Sequence, residues 1–526
     1  ELLEVPAPAL GAGQVLVRNQ FSVVSPGTEK LAIDFARKSL LGKAQSRPDL
    51  VRQVLRKLQH EGPLPTYQAV MNRLDQPQAL GYSCAGIVEA VGEGVRDFSA
   101  GDRVACAGAG YAVHAEWVAV PENLVARVPD AVTLERAAFA TLGAIALQGI
   151  RVAGPSLGEV AAVIGLGLIG QLAVQLLRAN GCRVLGIDLS PQRVQQALAQ
   201  GAEWGAAPDA DPAAWRSLAT AGYGADFALV TAASESSEPI ALAAELCRIK
   251  GRVAVVGATA MHLDRRSFYD KELELRMSMS YGPGRYDRRY EELGLDYPIS
   301  YVRWTENRNL QAFLALCASG SVDPLRLELS QLEFADAERA YEELAGGKRR
   351  GLASVFRYSA TASAARSQPV AAAAPAAKRS GELGVAFIGA GNYAKAVLLP
   401  ALQRLGGLRK RQIVTATGAS AEHSARKFGF AACGTDPAEV FSDPEVDLVF
   451  IATRHESHAA LAAAALRAGK AVWCEKPVAI DDAGLDALAA AVRETRGFLV
   501  VGFNRRFSPH AICVRDAFCE RVASHR

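Results

Sequence analysis

Gly165, Gly167 and Gly170 stand in G-x-G-x-x-G spacing, with Leu168 and Ile169 before the last glycine, straight after the apolar run Val160 to Ile164. Each glycine has a mechanical purpose. Gly165 allows the tight turn, Gly167 leaves no side chain in the path of a pyrophosphate, and Gly170 lets the following helix pack closely on the strand. The helix N-terminus then faces the phosphate charge. Asp188 closes the next apolar run, 18 residues beyond Gly170, where a carboxylate accepts hydrogen bonds from an adenosine ribose and repels a 2′-phosphate. Strand, turn, helix, strand and acid in this order predict an NAD(H) site.

A second cluster, Gly389, Gly391 and Ala394 with Asn392 and Tyr393 between them, follows the apolar run Gly384 to Ile388 in the G-x-G-x-x-A variant. Its next strand ends in Thr417, Gly418, Ala419 and Ser420, where the ribose-binding acid is absent. NAD(H) and NADP(H) both stay open here, and Arg426 and Lys427 read as a solvated helix face. Further along, a strand ends at Thr453, a helix carries His458, and a short strand ends in Glu475, Lys476 and Pro477. A lysine at the carboxyl edge of such a strand points into the crevice where open α/β sheets bind ligands, and is a candidate for polarising a substrate oxygen. The alternative is an exposed charge paired with Glu475.

The elements that must hold these residues fill a chain of 526 residues, enough for three or four domains. Half the residues are apolar and the formal charge is +3, so no global field would gather nucleic acid or an anionic membrane, and a small molecule is the expected partner. Nine cysteines are scattered without a C-x-x-C pair, which argues against a disulfide framework or a four-cysteine zinc lobe and fits a reducing cytoplasm. No apolar run reaches the roughly 18 residues of a membrane span, and the N-terminus lacks signal-peptide character. The chain opens on Glu1 and closes on the start of a helix, Cys513 to Arg526, so it reads as a fragment.

The fold class expected is α/β. Short β signals fill the opening hundred residues, interrupted between Lys30 and Leu80 by an insertion whose Leu50, Val51, Val54, Leu55 and Leu58 recur at helical spacing. That amphipathic helix is expected to pack on the β-rich body. Alternating strands and helices from Pro129 to Ala258 imply a parallel sheet. The stretch Ser359 to Ser380 is Ala, Ser and Pro with no acid and reads as a linker. The boundaries expected are a β-rich catalytic domain (1–130), a Rossmann domain (131–264), a return segment completing the first domain (265–358), a linker (359–380), a second Rossmann domain (381–500) and the start of a truncated substrate domain (501–526).

The motifs GAGNYA, IATRHESHAALAAAALRAGKAV with His458, EKP at Glu475 to Pro477 and GFNRRFSP at Gly502 to Pro509 resemble the N-terminal domain of the Gfo/Idh/MocA oxidoreductases. The resemblance implies NAD(P) binding by Gly389, Gly391, Asn392, Tyr393, Ala394, Thr453, His458, Glu475 and Pro477, and places Lys476 beside nicotinamide and substrate. It also implies a following domain that supplies further acid–base residues, of which this chain holds only the beginning.

The stretches QVLVRNQFSVVSPGTE, LGYSCAGIVEAVGEGVRDFSAGDRV and AEWVAVPENLVARVPD, with the first Rossmann unit, resemble the medium-chain dehydrogenases, whose fold has a GroES-like catalytic domain. Zinc members carry a Cys before a Gly-Thr/Ser-Asp step and a His in G-H-E. Here Pro26 precedes Gly27, Thr28 and Glu29, and Tyr82 and Ser83 follow Gly81. A catalytic zinc needs about three protein ligands, so zinc is not expected. Cys84, Cys106 and His114 match no zinc spacing and read as core or surface. Without zinc the proton that accompanies hydride transfer falls to Thr28, at the family's relay position, Glu29 beside it, or Tyr82 where a ligand would stand; Tyr82 as an aromatic lining the pocket is the alternative.

The two modules together resemble bi-domain oxidoreductases associated with surface polysaccharide or sugar-nucleotide metabolism. Ser280 to Leu310 looks like their hallmark, with Arg285, Tyr286, Arg288 and Tyr290 as either a sugar or phosphosugar contact or a domain-docking face. The resemblance implies a cytoplasmic nicotinamide-dependent oxidoreductase acting on an alcohol or carbonyl of a sugar-like substrate, possible as a homo-oligomer. A zinc alcohol dehydrogenase, a non-catalytic NAD-binding sensor or scaffold, and an oxidative glycosidase are the alternatives.

Overall fold

Apolar residues on both faces of β1 (Gln14–Val24) let it take partners on either side. The computed structural model describes residues 1–39, 42–43, 48–347, 351–359, 365–370 and 381–523. Two units emerge, one of residues 1–2, 10–43 and 78–362, the other of 3–9, 44–77 and 363–526.

In the first unit, β1 precedes the helix α1 (Pro26–Arg37) and pairs with β2 (Ser83–Val91), β4 (Trp117–Pro121) and β13 (Ala353–Arg357). With β3 (Arg103–Ala107), β5 (Val125–Arg127) and β12 (Leu329–Glu333) they form a seven-stranded sheet in the path β12-β13-β1-β2-β3-β5, β4 lying off it. The chain returns to this sheet, through β12 and β13, after crossing the first Rossmann fold. Helix α2 (Ala140–Ala153) leads into that fold: β6 (Val160–Ile164), α3 (Leu168–Ala179), β7 (Arg183–Ile187), β8 (Trp204–Ala206), β9 (Ala225–Val230), β10 (Cys247–Val255) and β11 (Glu274–Met277), in the order β11-β10-β9-β6-β7-β8 with every pair parallel. β6 and β7 read as continuous apolar runs because helices cover both faces. Helix α4 (Glu306–Ala318) follows the polar hallmark segment.

The second unit carries a seven-stranded sheet, β14 (Ser367–Pro369), β15 (Leu383–Ile388), β16 (Leu408–Val414), β17 (Ala432–Gly434), β18 (Leu448–Ile451), β19 (Ala471–Glu475) and β20 (Leu499–Gly502), in the order β14-β17-β16-β15-β18-β19-β20. All pairs are parallel except the edge pair β14·β17. The expected linker is therefore corrected in part. Ser367–Pro369 is an edge strand and Val370 is buried in the core, and an edge is where a sheet tolerates Pro369, which has no N–H to donate. Residues 360–364 and 371–380 of that stretch lie outside the described residues.

A second correction concerns the insertion. Its helices Pro48–Glu61 and Pro63–Leu74 group with the second unit and not with the β-rich body. The N-terminal segment does likewise: Ala7 N–H donates to Ala365 O at 2.8 Å and Ala9 N–H to Ala416 O at 3.1 Å.

Candidate functional site

Both glycine turns sit where the strand order reverses, at β6 and β9 in one sheet and β15 and β18 in the other, the place where open α/β sheets take ligands. Gly165 has φ +94° and Gly389 φ +93°, a left-handed geometry that penalises any side chain. A Cβ on Gly165 would lie 2.5 Å from Ala232 N, and one on Gly389 2.6 Å from Ala452 O. Each first glycine thus lets the turn press on the chain leaving the fourth strand. A Cβ on Gly170 would collide with the Gly165 carbonyl. The middle glycines differ in kind: nothing lies within 4 Å of a Cβ on Gly167 or Gly391. They guard open space, as a position facing a pyrophosphate must, so both turns fit a dinucleotide.

Asp188 ends β7 with 9% exposure. Its Oδ2 accepts from Leu166 N–H at 2.7 Å and its Oδ1 from Ser190 N–H at 2.8 Å. The carboxylate therefore pins the glycine turn, and each oxygen keeps a lone pair for a ribose hydroxyl. Leu168 and Ile169 open α3. At the corresponding end of β16 there is no acid: Thr415 Oγ1 donates to Thr417 O at 2.8 Å.

Around the second turn, Glu475 is 9% exposed and accepts from Asn504 Nδ2 at 2.8 Å and Lys476 N–H at 3.0 Å. Asn504 also donates to the Tyr393 hydroxyl at 2.9 Å, so one amide ties the glycine turn to the end of β19. Asn504 lies inside GFNRRFSP but its role was not legible there, because only the fold brings it to Glu475. Lys476 is exposed, and its ammonium makes no hydrogen bond or ion pair among the described residues. The alternative reading, a side-chain pair with Glu475, is not formed; Glu475 takes the Lys476 backbone N–H instead. The Lys476–Pro477 peptide is cis.

His458 acts as a clamp between two turns. It is fully buried, with Nδ1 2.7 Å from Pro477 O and Nε2 3.2 Å from Thr453 O. The ring joins the end of β18 to the proline turn and presents no face to the crevice. Thr453 Oγ1 is 2.7 Å from Ser457 Oγ. Ala394 is buried, and the helix after it opens as a π-turn, Ala394–Leu398, before Leu399–Arg404 becomes α-helical. Pro400 accounts for this, since its ring cannot accept the ordinary backbone spacing to Ala396.

In the first unit, Glu29 sits at the centre of a hydrogen-bond network. It is 2% exposed, and its carboxylate accepts from Ser25 N–H at 2.9 Å, from the Tyr341 hydroxyl and from His114 Nε2 at 3.1 Å. His114 Nδ1 lies 2.7 Å from Ser22 Oγ, which is 2.7 Å from the Tyr358 hydroxyl. A neutral imidazole with its proton on Nε2 satisfies this whole chain. Tyr82 hydrogen-bonds Ser25 and Thr28, and burial holds its phenol above the usual range. Thr28 is exposed. Cys84 and Cys106 face each other across β2 and β3, buried, with Cys84 and burial pushing the Cys106 thiol up.

At the two positions that the resemblance sets against zinc ligands, Pro26 offers no side-chain donor and burial holds the Tyr82 phenol above its usual range, while a catalytic zinc needs about three protein ligands.

Family models match in three places: the alcohol dehydrogenase GroES-like domain at residues 60–130, zinc-binding dehydrogenase at 169–294, and the oxidoreductase family with an NAD-binding Rossmann fold, Gfo/Idh/MocA, at 383–503. Inositol 2-dehydrogenase of Rhizobium meliloti is 40% identical over 131 residues, 25% of this chain and 39% of that protein. (R,R)-Butanediol dehydrogenase of Bacillus subtilis is 32% identical over 153 residues, 24% of this chain and 43% of that protein. D-xylulose reductase A of Aspergillus niger is 24% identical over 311 residues, 52% and 78%. The chain thus spans less than half the length of the first two. An alcohol dehydrogenase from Thermus sp. ATN1 (TM-score 0.50, 23% identity) and galactitol-1-phosphate dehydrogenase from Escherichia coli (TM-score 0.51, 18%) each overlay 68% of this chain and 96% of their own, and share the fold. The chain joins a medium-chain alcohol dehydrogenase module, with GroES-like and nucleotide-binding parts, to an NAD-binding domain of the Gfo/Idh/MocA oxidoreductases.

Proposed function

We propose that this chain is a cytoplasmic nicotinamide-dependent oxidoreductase with two dinucleotide sites, acting on alcohol or carbonyl groups of polyol or sugar-like molecules, in a setting of polysaccharide or sugar-nucleotide metabolism. The observation that carries this reading is the pair of open middle glycines, each beside a first glycine that tolerates no side chain. The dehydrogenases and reductases it is similar to act, by their names, on inositol, butanediol and xylulose.

Bound nicotinamide would supply the hydride acceptor or donor at each site. In the first module Gly165, Gly167, Leu168, Ile169 and Gly170 seat the pyrophosphate, and Asp188 selects NAD(H) by holding a ribose hydroxyl. Proton movement runs through the Tyr82 phenol and the Thr28 hydroxyl, the first half-buried and held protonated, the second open to solvent. Glu29 is a positioning residue: with three donors on its carboxylate it fixes the turn that carries Thr28. The chemistry proceeds without zinc. In the second module Gly389, Gly391, Asn392, Tyr393 and Ala394 seat NAD(H) or NADP(H), while Glu475 and Pro477 orient Lys476, whose ammonium polarises a substrate oxygen.

The test is NADH fluorescence titration with metal analysis on the whole protein, followed by a polyol and sugar-nucleotide screen at the nicotinamide absorbance band. Two binding sites, no zinc and a substrate that turns over are expected. A single site would refute the two-cofactor reading, and one zinc per chain would refute the zinc-free chemistry. Binding without turnover would favour a sensor, a reading to which the full commitment of Glu29 lends support.

A further inference from the structure

The hallmark segment leaves β11 at the carboxyl edge of the first Rossmann sheet and runs to the start of α4. Of the residues read as its surface, Tyr286 and Arg288 are exposed, while Tyr290 and Arg285 turn inward. Tyr290 is 1% exposed, and Arg285 pairs with the buried Glu291 at 2.5 Å. What the segment builds is internal and polar. Glu306, the first residue of α4, has no exposed surface, and neither carboxyl oxygen meets a protein partner. Beside it the Tyr281 hydroxyl, 3% exposed as a residue, and Arg285 Nε are buried and equally without a partner. Arg285 lies 5.4 Å from the centroid of the Tyr281 ring, and Glu306 N–H donates to Pro283 O at 2.8 Å, which sets Glu306 against the loop that carries both.

Two donors and a carboxyl that stand together without bonding one another leave a specific demand. Each unmet buried polar group costs about 1–3 kcal/mol, and native interiors meet such groups with a protein atom, ordered water or a ligand. The missing partner must accept from Arg285 and Tyr281 and donate to Glu306. A hydroxyl does both, and two neighbouring hydroxyls serve both carboxyl oxygens. A bare cation would meet Arg285, and a bare anion would face the Glu291 carboxylate. Burial, with Glu291 adding to it, pushes the Glu306 carboxyl up to about 9, so near neutral pH it is uncharged and suits an uncharged guest.

We propose that Glu306, Arg285 and Tyr281 form a built hydroxyl-binding site, filled by ordered water or by adjacent hydroxyls of a polyol. For the polyol this rests on the proposed substrate class of the first module; for water it stands alone. Trp304 reports on the site. Its ring lies between Arg151, 3.3 Å from the centroid, and Arg303, at 3.8 Å, two residues before Glu306.

The experiment titrates the whole protein with xylitol, following tryptophan emission with Trp304→Phe as the blank, alongside a high-resolution crystal structure. A Trp304 response that weakens about tenfold in Glu306→Leu and holds within about twofold in Glu306→Gln supports the site with a polyol guest. Ordered water bridging the three groups, with no xylitol response, supports it with water as guest. Neither signal overturns it. Glu306→Gln keeps an acceptor and the side-chain shape, so it guards against a variant that fails to fold, and NADH titration of the same samples shows separately whether the cofactor reading stands.

Discussion

The two glycine turns solve one problem with different second halves. Both place a left-handed glycine against the strand-four exit and an open glycine over the crevice. The first turn then fastens itself to Asp188 through Leu166 N–H, coupling turn geometry to the group that would read the ribose. The second has no acid; it is braced from the far side, through Tyr393, Asn504 and Glu475, by the strand end that carries Lys476. The first site is therefore organised from its adenosine side and the second from its catalytic side. Cofactor choice should be fixed by a single residue in the first and be insensitive to one in the second.

Several substitutions would break or sharpen that contrast. The largest effect is expected from Gly165→Ala and Gly389→Ala, each abolishing NADH binding at its own site, by about a hundredfold or more, and lowering Tm, because a side chain meets both strain and backbone. Gly167→Val should abolish binding with Tm unchanged, which separates the open position from the packed one in a thermal melt beside a fluorescence titration. Lys476→Met is expected to lower turnover at the second site by roughly 10²–10⁴ while leaving its NADH affinity intact. Asp188→Ala should weaken NADH at the first site by about 10–100-fold and leave the second untouched; equal losses at both would end the contrast.

His458→Ala should cost about 1–3 kcal/mol in denaturant unfolding by removing the imidazole, and the N–H donor it brings, from between the Thr453 and Pro477 carbonyls. The most pH-dependent effect belongs to Glu306. Its folded carboxyl sits near 9 against an ordinary 4.5, so the stability it contributes is complete below pH ~4.5 and lost as pH rises toward 9. Relative to Glu306→Gln, the natural protein should lose about 1.4 kcal/mol per pH unit across that window, and parallel stability–pH curves would refute the buried neutral acid.

Much of this was legible in the residues. Gly165, Gly167, Gly170 and Asp188 fall in one continuous stretch, so local spacing sufficed to name their arrangement. The same holds for Gly389 and Gly391. The partners of Glu29 and His458 were not legible there, because only the fold shows their atoms already committed. Ser367–Pro369 was misread because a short edge strand is held by a partner, β17, more than sixty residues away in sequence, and its own composition carries no strand signal.

The sequence by itself determined two dinucleotide-type turns, the order of the strands and helices around them and the absence of zinc-ligand types at Pro26 and Tyr82. These depend on neighbours within a few residues, where backbone sterics and spacing decide. Tertiary structure alone decided which polar groups are spent and which are available: the three donors on Glu29, the His458 clamp, the Asn504 brace and the unmet set at Glu306, Arg285 and Tyr281. Burial and hydrogen-bond geometry arise from segments far apart in the chain, and a side chain's chemistry is set by what it meets there.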